Sequence, residues 1–181
     1  LERESVNVCI SKFIRIHPRS SIMEAKISGH YANSVLASLE ARKKGYDEAL
    51  LLDWRGNIAE GPGENIFFIK GNPRTKRVEQ SSYDGATLAT PSSGSILPGI
   101  TRDSVIAIAK GLGLRVQKKN IKPKELSWYN EAFFTGTAVE VHPIGKIDKI
   151  AFQGVNGKIT ELIKEIFFKT VRGESDKHRR W

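Results

Sequence analysis

The chain predicts an α/β or α+β fold built on a mixed sheet. Three observations carry this: runs of Val, Ile and Phe of strand length, amphipathic runs of helix length between them, and Gly or Pro at nearly every junction. At 181 residues the chain predicts a single domain with a sizeable buried core. The interleaving of strands and helices leaves the topology open.

Val6 to Ile16 alternates loosely and reads as a strand, broken by His17-Pro18-Arg19-Ser20-Ser21. From His30 to Lys44 the apolar residues Tyr31, Val35, Leu36 and Leu39 fall on one helical face, the expected inward face, and Gly45 stops the helix behind Arg42, Lys43 and Lys44. Glu48 to Asp53 is a short apolar strand. Arg55-Gly56-Asn57 turns it, and Ile58-Ala59-Glu60 begins the return strand of a hairpin. After Gly61-Pro62-Gly63, Asn65 to Ile69 is another strand, and the polar stretch from Lys70 to Gly85 reads as an exposed, mobile loop.

Thr87 to Thr90 resumes extended structure, followed by a Ser, Gly and Pro loop from Pro91 to Gly99. Thr101 is the expected cap of a helix from Arg102 to Gly111, with Val105, Ile108, Ala109 and Leu112 inward. Leu114 to Asn120 reads as a strand and Pro123 to Trp128 as a short helix. Glu131 to Thr135 and Val139 to Ile144 read as strands around Gly136-Thr137-Ala138. Lys158 to Val171 is the last amphipathic helix, with Ile159, Leu162, Ile163, Ile166 and Phe167 inward, ahead of a basic tail from Arg172 to Trp181.

Composition narrows the function classes. Hydrophobic residues at 39% and charged residues at 27% describe an ordinary globular chain. No apolar run is long enough to cross a bilayer, and no signal-peptide pattern stands at the N-terminus, so a membrane role is not expected. Cys9 is the only cysteine, which excludes an internal disulfide and suits a reducing, cytoplasmic setting. The net charge of +9 raises nucleic acid as a partner, but its clusters are scattered and carry no interleaved aromatic platform, so no nucleic acid is expected. The chain opens on Leu1 and not methionine, which points to a piece of a longer protein.

Four strand-end loops concentrate the chemistry: Lys26 to Tyr31, Ala59 to Asn65, Ser95 to Asp103 and Phe134 to Glu140. Gly99 admits a close backbone approach, and the N–H groups after it open a helix where an anion is favoured; the same pattern also fits a plain capped helix. Gly136-Thr137-Ala138 is a second turn open to both readings. Lys26 and Glu60 in isolation read as a solvated lysine and a turn carboxylate.

Taken together, the strings resemble one family closely. Lys26-Ile27-Ser28-Gly29-His30-Tyr31, Gly45-Tyr46-Asp47-Glu48-Ala49, Ala59-Glu60-Gly61-Pro62-Gly63-Glu64-Asn65-Ile66-Phe67, Leu97-Pro98-Gly99-Ile100-Thr101-Arg102-Asp103 and Phe134-Thr135-Gly136-Thr137-Ala138-Val139-Glu140 stand in the order found in the fold-type-IV, pyridoxal-phosphate-dependent aminotransferases. Within that class they resemble the branched-chain amino-acid aminotransferases. The Gly-Pro-Gly-Glu-Asn string favours that branch over the D-amino-acid aminotransferases and the aminodeoxychorismate lyases, which remain the alternatives beside an incomplete, basic binding module.

The resemblance implies a mixed sheet curled into an open pseudo-barrel flanked by helices, the large C-terminal domain of such enzymes, spanning residues 1–181 with the smaller N-terminal domain absent. It implies pyridoxal 5′-phosphate as cofactor and Lys26 as the Schiff-base and proton-transfer lysine. Tyr31 would bond the phenolic oxygen, and Glu60 would face the pyridine nitrogen. Leu97, Ile100, Thr101, Gly136 and Thr137 would hold the phosphate, with Arg15 in support. Thr137 and Ala138 would bind the substrate carboxylate, and Glu64 and Asn65 would be structural. The implied substrates are leucine, isoleucine or valine with 2-oxoglutarate, no metal is involved, and a homodimer or larger homo-oligomer is expected of the full-length protein.

Overall fold

The computed structural model describes residues 4–71, 85–92 and 94–174. Strand β1 (Val6–Ile14) is the seam of the sheet, pairing in parallel with β2 (Glu48–Leu52) on one side and with β7 (Glu140–Ile147) on the other. From β7 the sheet continues antiparallel through β6 (Glu131–Gly136), β3 (Asn65–Lys70) and β4 (Thr87–Thr90), and ends on β5 (Arg115–Lys118), parallel to β4. The order is β2-β1-β7-β6-β3-β4-β5, with the short β8 (Ile150–Ala151) hairpinned onto β7. The mixed sheet expected from the sequence is therefore present.

The pleat shows how the sheet curls. In β3, Ile66 and Phe68 face one core while Phe67 and Ile69 face another, and in β6 Phe134 and Phe133 divide in the same way. The first core joins Leu50 of β2 to Ala89 of β4, strands far apart in the sheet order, so that face is concave and closes on itself as a half-barrel. The second core lies under α2 (Ile100–Gly111) and α3 (Lys158–Val171). Both faces of β3 are thus buried, which is why its run reads as continuously apolar. Each fully buried Phe or Ile there contributes about 1.5–3 kcal/mol.

Helix α1 (Tyr31–Lys43) reverses the sequence expectation. Its buried residues are the small ones, Ser34, Ala37 and Ala41, and the two alanines are set against Cys9, Ala49 and Leu51 on β1 and β2. Tyr31, Val35, Leu36 and Leu39, expected inward, are 38–55% exposed. Small side chains let the helix backbone lie close to the sheet, and the bulky ones turn outward.

Two further corrections concern ends. Helix α2 starts at Ile100 with Gly99 as its N-cap, so Thr101 sits inside the first turn and makes no cap bond. Residue 99 itself has to be glycine, since a Cβ there would overlap Asn65 Oδ1. The return segment 58–60 pairs with β2 through Ala59 N to Leu51 O and Leu51 N to Glu60 O, but only a single bridge, Leu52 to Ile58, is regular, so it is not a strand. Of the expected loop from Lys70 to Gly85, residues 72–84 lie outside the described residues, as do residues 175–181 of the basic tail. Among the described residues no helix is long and apolar enough to cross a membrane.

Candidate active site

Glu60 is where three segments meet. Its backbone carbonyl accepts Leu51 N–H, which ties it to β2, and its carboxyl is 4% exposed. Oε2 accepts Asn65 Nδ2 and Leu97 N–H, each at 3.0 Å. Oε1 lies 2.8 Å from Arg15 Nε, an ion pair whose N–H is not aligned as a hydrogen bond. Arg15 follows β1 directly and is held by its own N–H to Leu52 O at 2.8 Å. Burial pushes the Glu60 carboxyl up to about 7, against the lowering influence of Arg15 and the Leu97 N–H. A carboxylate offers about four lone-pair sites, so these partners leave acceptor capacity on Oε1.

Asn65 works as a hinge between this carboxylate and the loop before α2, since its Nδ2 also donates to Leu97 O at 2.9 Å. The Gly-Pro-Gly turn between Glu60 and Asn65 is closed by Gly61 N–H to Glu64 O at 2.8 Å. Gly61 has no room for a side chain: a Cβ would stand 2.5 Å from Glu64 Oε2 and 3.1 Å from the Phe134 ring. Glu64 Oε2 accepts Gly63 N–H, and burial together with the charge of Glu48 pushes its carboxyl up to about 7.

Lys26 stands opposite. Ile27 N–H donates to Ala25 O at 2.9 Å, closing a three-residue turn with Lys26 at its apex, and the φ of Lys26 is not positive, so the turn is the common inverse form. The turns before and after it are closed by Ala25 N–H to Ile22 O and His30 N–H to Ile27 O. This winding fixes the backbone, and the lysine, itself exposed, is one wall of a cleft. Its walls include Arg15, Lys26, Tyr31, Glu60, Glu64 and Leu97. Lys26 Nζ makes no hydrogen bond or ion pair within the described residues.

The cleft thus brings together five of the expected residues: Arg15, Lys26, Tyr31, Glu60 and Leu97. Ile100, Thr101, Gly136, Thr137 and Ala138 are outside its lining, and the Ile100 side chain is 86% exposed. Their turns nevertheless border it. Gly136 abuts Gly63 O and Glu64 Cα, and Gly99 abuts Asn65, while Gly63, Glu64 and Asn65 are themselves wall residues. Two polar wall residues, His30 and Ser34, have no role assigned from the sequence, although His30 stands inside the loop from Lys26 to Tyr31. His30 Nε2 is 2.6 Å from Ser21 Oγ, an arrangement no local pattern announces. Among the described residues no group of three or more His, Cys, Asp or Glu could hold a metal ion.

The sequence profile of the amino-transferase class IV family matches residues 1–147. The chain belongs to this family. It is 39% identical over 181 residues to a branched-chain-amino-acid aminotransferase of Pseudomonas aeruginosa, covering 99% of this chain and 54% of that relative. It superposes with a TM-score of 0.87 and 38% identity on the branched-chain aminotransferase of Thermoproteus uzoniensis crystallised with norvaline, covering 100% of this chain and 56% of that one. The enzyme of Thermobaculum terrenum in its PLP form gives a TM-score of 0.87 and 36% identity, covering 98% of this chain and 54% of that one. This member of the family therefore spans about half the length of the relatives it matches.

Proposed function

We propose that these residues form the cofactor-binding domain of a branched-chain amino-acid aminotransferase, using pyridoxal 5′-phosphate to move an amino group between leucine, isoleucine or valine and 2-oxoglutarate. The observation that carries the reading is the pairing of an unpartnered Lys26, at the apex of its turn, with a buried Glu60 in the walls of one cleft. The resemblance to enzymes described as branched-chain aminotransferases, one of them in its PLP form, supports the substrate class and the cofactor.

The donor set suits that cofactor. A primary amine, a buried carboxylate with open acceptor capacity and an unpaired buried hydroxyl share the cleft, and two small-residue turns border it. When bound, the cofactor supplies an electron-accepting ring conjugated to the substrate α-carbon. Lys26 would supply the amine that holds it and would carry a proton to and from the substrate α-carbon. Glu60 would face the ring nitrogen, where its negative charge would favour the protonated ring, and Arg15 orients that carboxylate. Tyr31 would lie at the phenolic edge. The backbone N–H groups of Ile100 and Thr101, with Leu97, Gly136 and Thr137, would cradle the phosphate, and Thr137 and Ala138 would receive the substrate carboxylate. The reading includes a cytoplasmic homodimer or larger homo-oligomer in the full-length protein.

A coupled assay with L-leucine and 2-oxoglutarate on the chain joined to the remaining family length tests this. The expected result is Lys26-dependent glutamate formation. Amino transfer from D-alanine to 2-oxoglutarate, giving pyruvate and D-glutamate, without activity on leucine would assign the chain to another branch.

A further inference from the structure

The small-residue face of α1 contains one anomaly. Ala37 and Ala41 pack against the sheet as bare methyl groups, whereas position 34 on the same face carries a hydroxyl. Ser34 is 3% exposed, and its Oγ has no hydrogen-bond partner. The serines around it are all paired: Ser11 with Glu40, Ser21 with His30 and Ser38 with Glu48. A buried hydroxyl left unpaired destabilises the fold, and a helical serine has an easy internal remedy in the carbonyl one turn back, which Ser34 does not use. Thr135 Oγ1 is also buried without a partner, but Thr135 is not among the walls of this cleft. Ser34 lines the cleft of Lys26 and Glu60, one helical turn from Tyr31.

We infer that Ser34 is a further cofactor-binding residue, its hydroxyl, shielded from solvent as it stands, turning about χ1 to donate to the polar edge of the ring beside Tyr31. This rests on the cofactor reading above. A hydroxyl there needs an acceptor, and the ring's own acceptor on the Tyr31 side is the phenolic oxygen, since Glu60 takes the nitrogen and the loops take the phosphate. Alanine would serve packing at position 34 as well as it does at 37 and 41. The hydroxyl therefore acts on what enters the cleft.

The test compares wild type, Ser34→Ala and Ser34→Cys with pyridoxamine 5′-phosphate, which cannot bond to Lys26 and is followed by its own fluorescence, alongside thermal melting without ligand. Ser34→Ala is expected to melt at the wild-type temperature or above it and to bind about ten-fold more weakly, the loss of one hydrogen bond near a charged acceptor. Cysteine, similar in size but a weak donor, is expected to bind as poorly as alanine. Unchanged affinity in Ser34→Ala, or a lowered melting temperature with wild-type affinity, would overturn the inference and make the hydroxyl structural. Rescue by cysteine would also overturn it, in favour of a steric role. A ten-fold loss combined with no pyridoxal-phosphate band at Lys26 would sustain Ser34 while refuting the aminotransferase reading, and no binding by wild type would refute both.

Discussion

Arg15 Nε and Glu60 Oε1 lie 2.8 Å apart, with both side chains almost wholly buried. The pair joins the end of β1 to the segment returning from β2, and it places one charged carboxylate in the cleft without leaving it bare. Breaking a buried pair from one side strands the other charge. Arg15→Ala is therefore expected to cost about 3–5 kcal/mol of stability, read by urea unfolding at pH 8, where Glu60 is ionised. Glu60→Gln strands Arg15 in the same way and is expected to cost a comparable amount while removing the ring-nitrogen partner. A loss below about 1 kcal/mol for both would show that the pair is not formed.

Glu64 gives a pH signature. Its carboxyl is raised to about 7 in the fold, from 4.5. The folded state then holds a proton that the unfolded chain has released, so stability falls as pH rises from about 4.5 to 7 and stays lower above. Glu64→Gln removes that loss. The variant is expected to be more stable than wild type at pH 8, by up to about 3 kcal/mol, and within about 0.5 kcal/mol of it at pH 4.5. Melting curves at the two pH values decide the point.

The reversed face of α1 makes opposite predictions for large and small residues. Leu36→Ser and Leu39→Ser, at exposed positions, are expected to change stability by no more than about 0.5 kcal/mol. Ala37→Leu forces a large side chain between the helix and the sheet at Cys9, Ala49 and Leu51, and is expected to cost about 1–3 kcal/mol. Chemical denaturation of the three variants orders them.

How far the chain could be read in advance depended on what each signal measures. Helix α3 runs from Lys158 to Val171 as its apolar period predicts, because one side of it meets a core and the other meets water. The same period misled at α1. Periodicity reports where bulky apolar groups fall, not which face a helix leans on, and here alanines made the approach. Thr101 looked like a cap because threonine caps well alone, but the helix begins one residue earlier, at Ile100, with Gly99 in the cap position. Lys26, Tyr31 and Glu60 were legible through long strings shared with a family. Ser34 was not, since one serine within a helix carries no pattern and its significance lies in a missing partner.

Glu131 is another such residue. Buried at the start of β6, it accepts Ile159 N–H, Thr160 N–H and the Thr160 hydroxyl, and so caps α3 from across the fold. Glu131→Ala leaves those donors unpaired and is expected to cost at least about 2 kcal/mol. Glu131→Gln, which keeps an acceptor, should retain most of the stability. Equal losses in the two variants by urea unfolding would refute the capping role.

The central claim is that Lys26 carries the cofactor, and absorption spectroscopy tests it most directly. Pyridoxal 5′-phosphate is added to the wild-type chain and to Lys26→Ala, and the spectra are followed before and after borohydride treatment, with the product mapped by peptide mass. A visible band in wild type alone, with the reduced adduct on Lys26, is the predicted result. No band at any cofactor concentration, or an identical band and adduct pattern in Lys26→Ala, would contradict it.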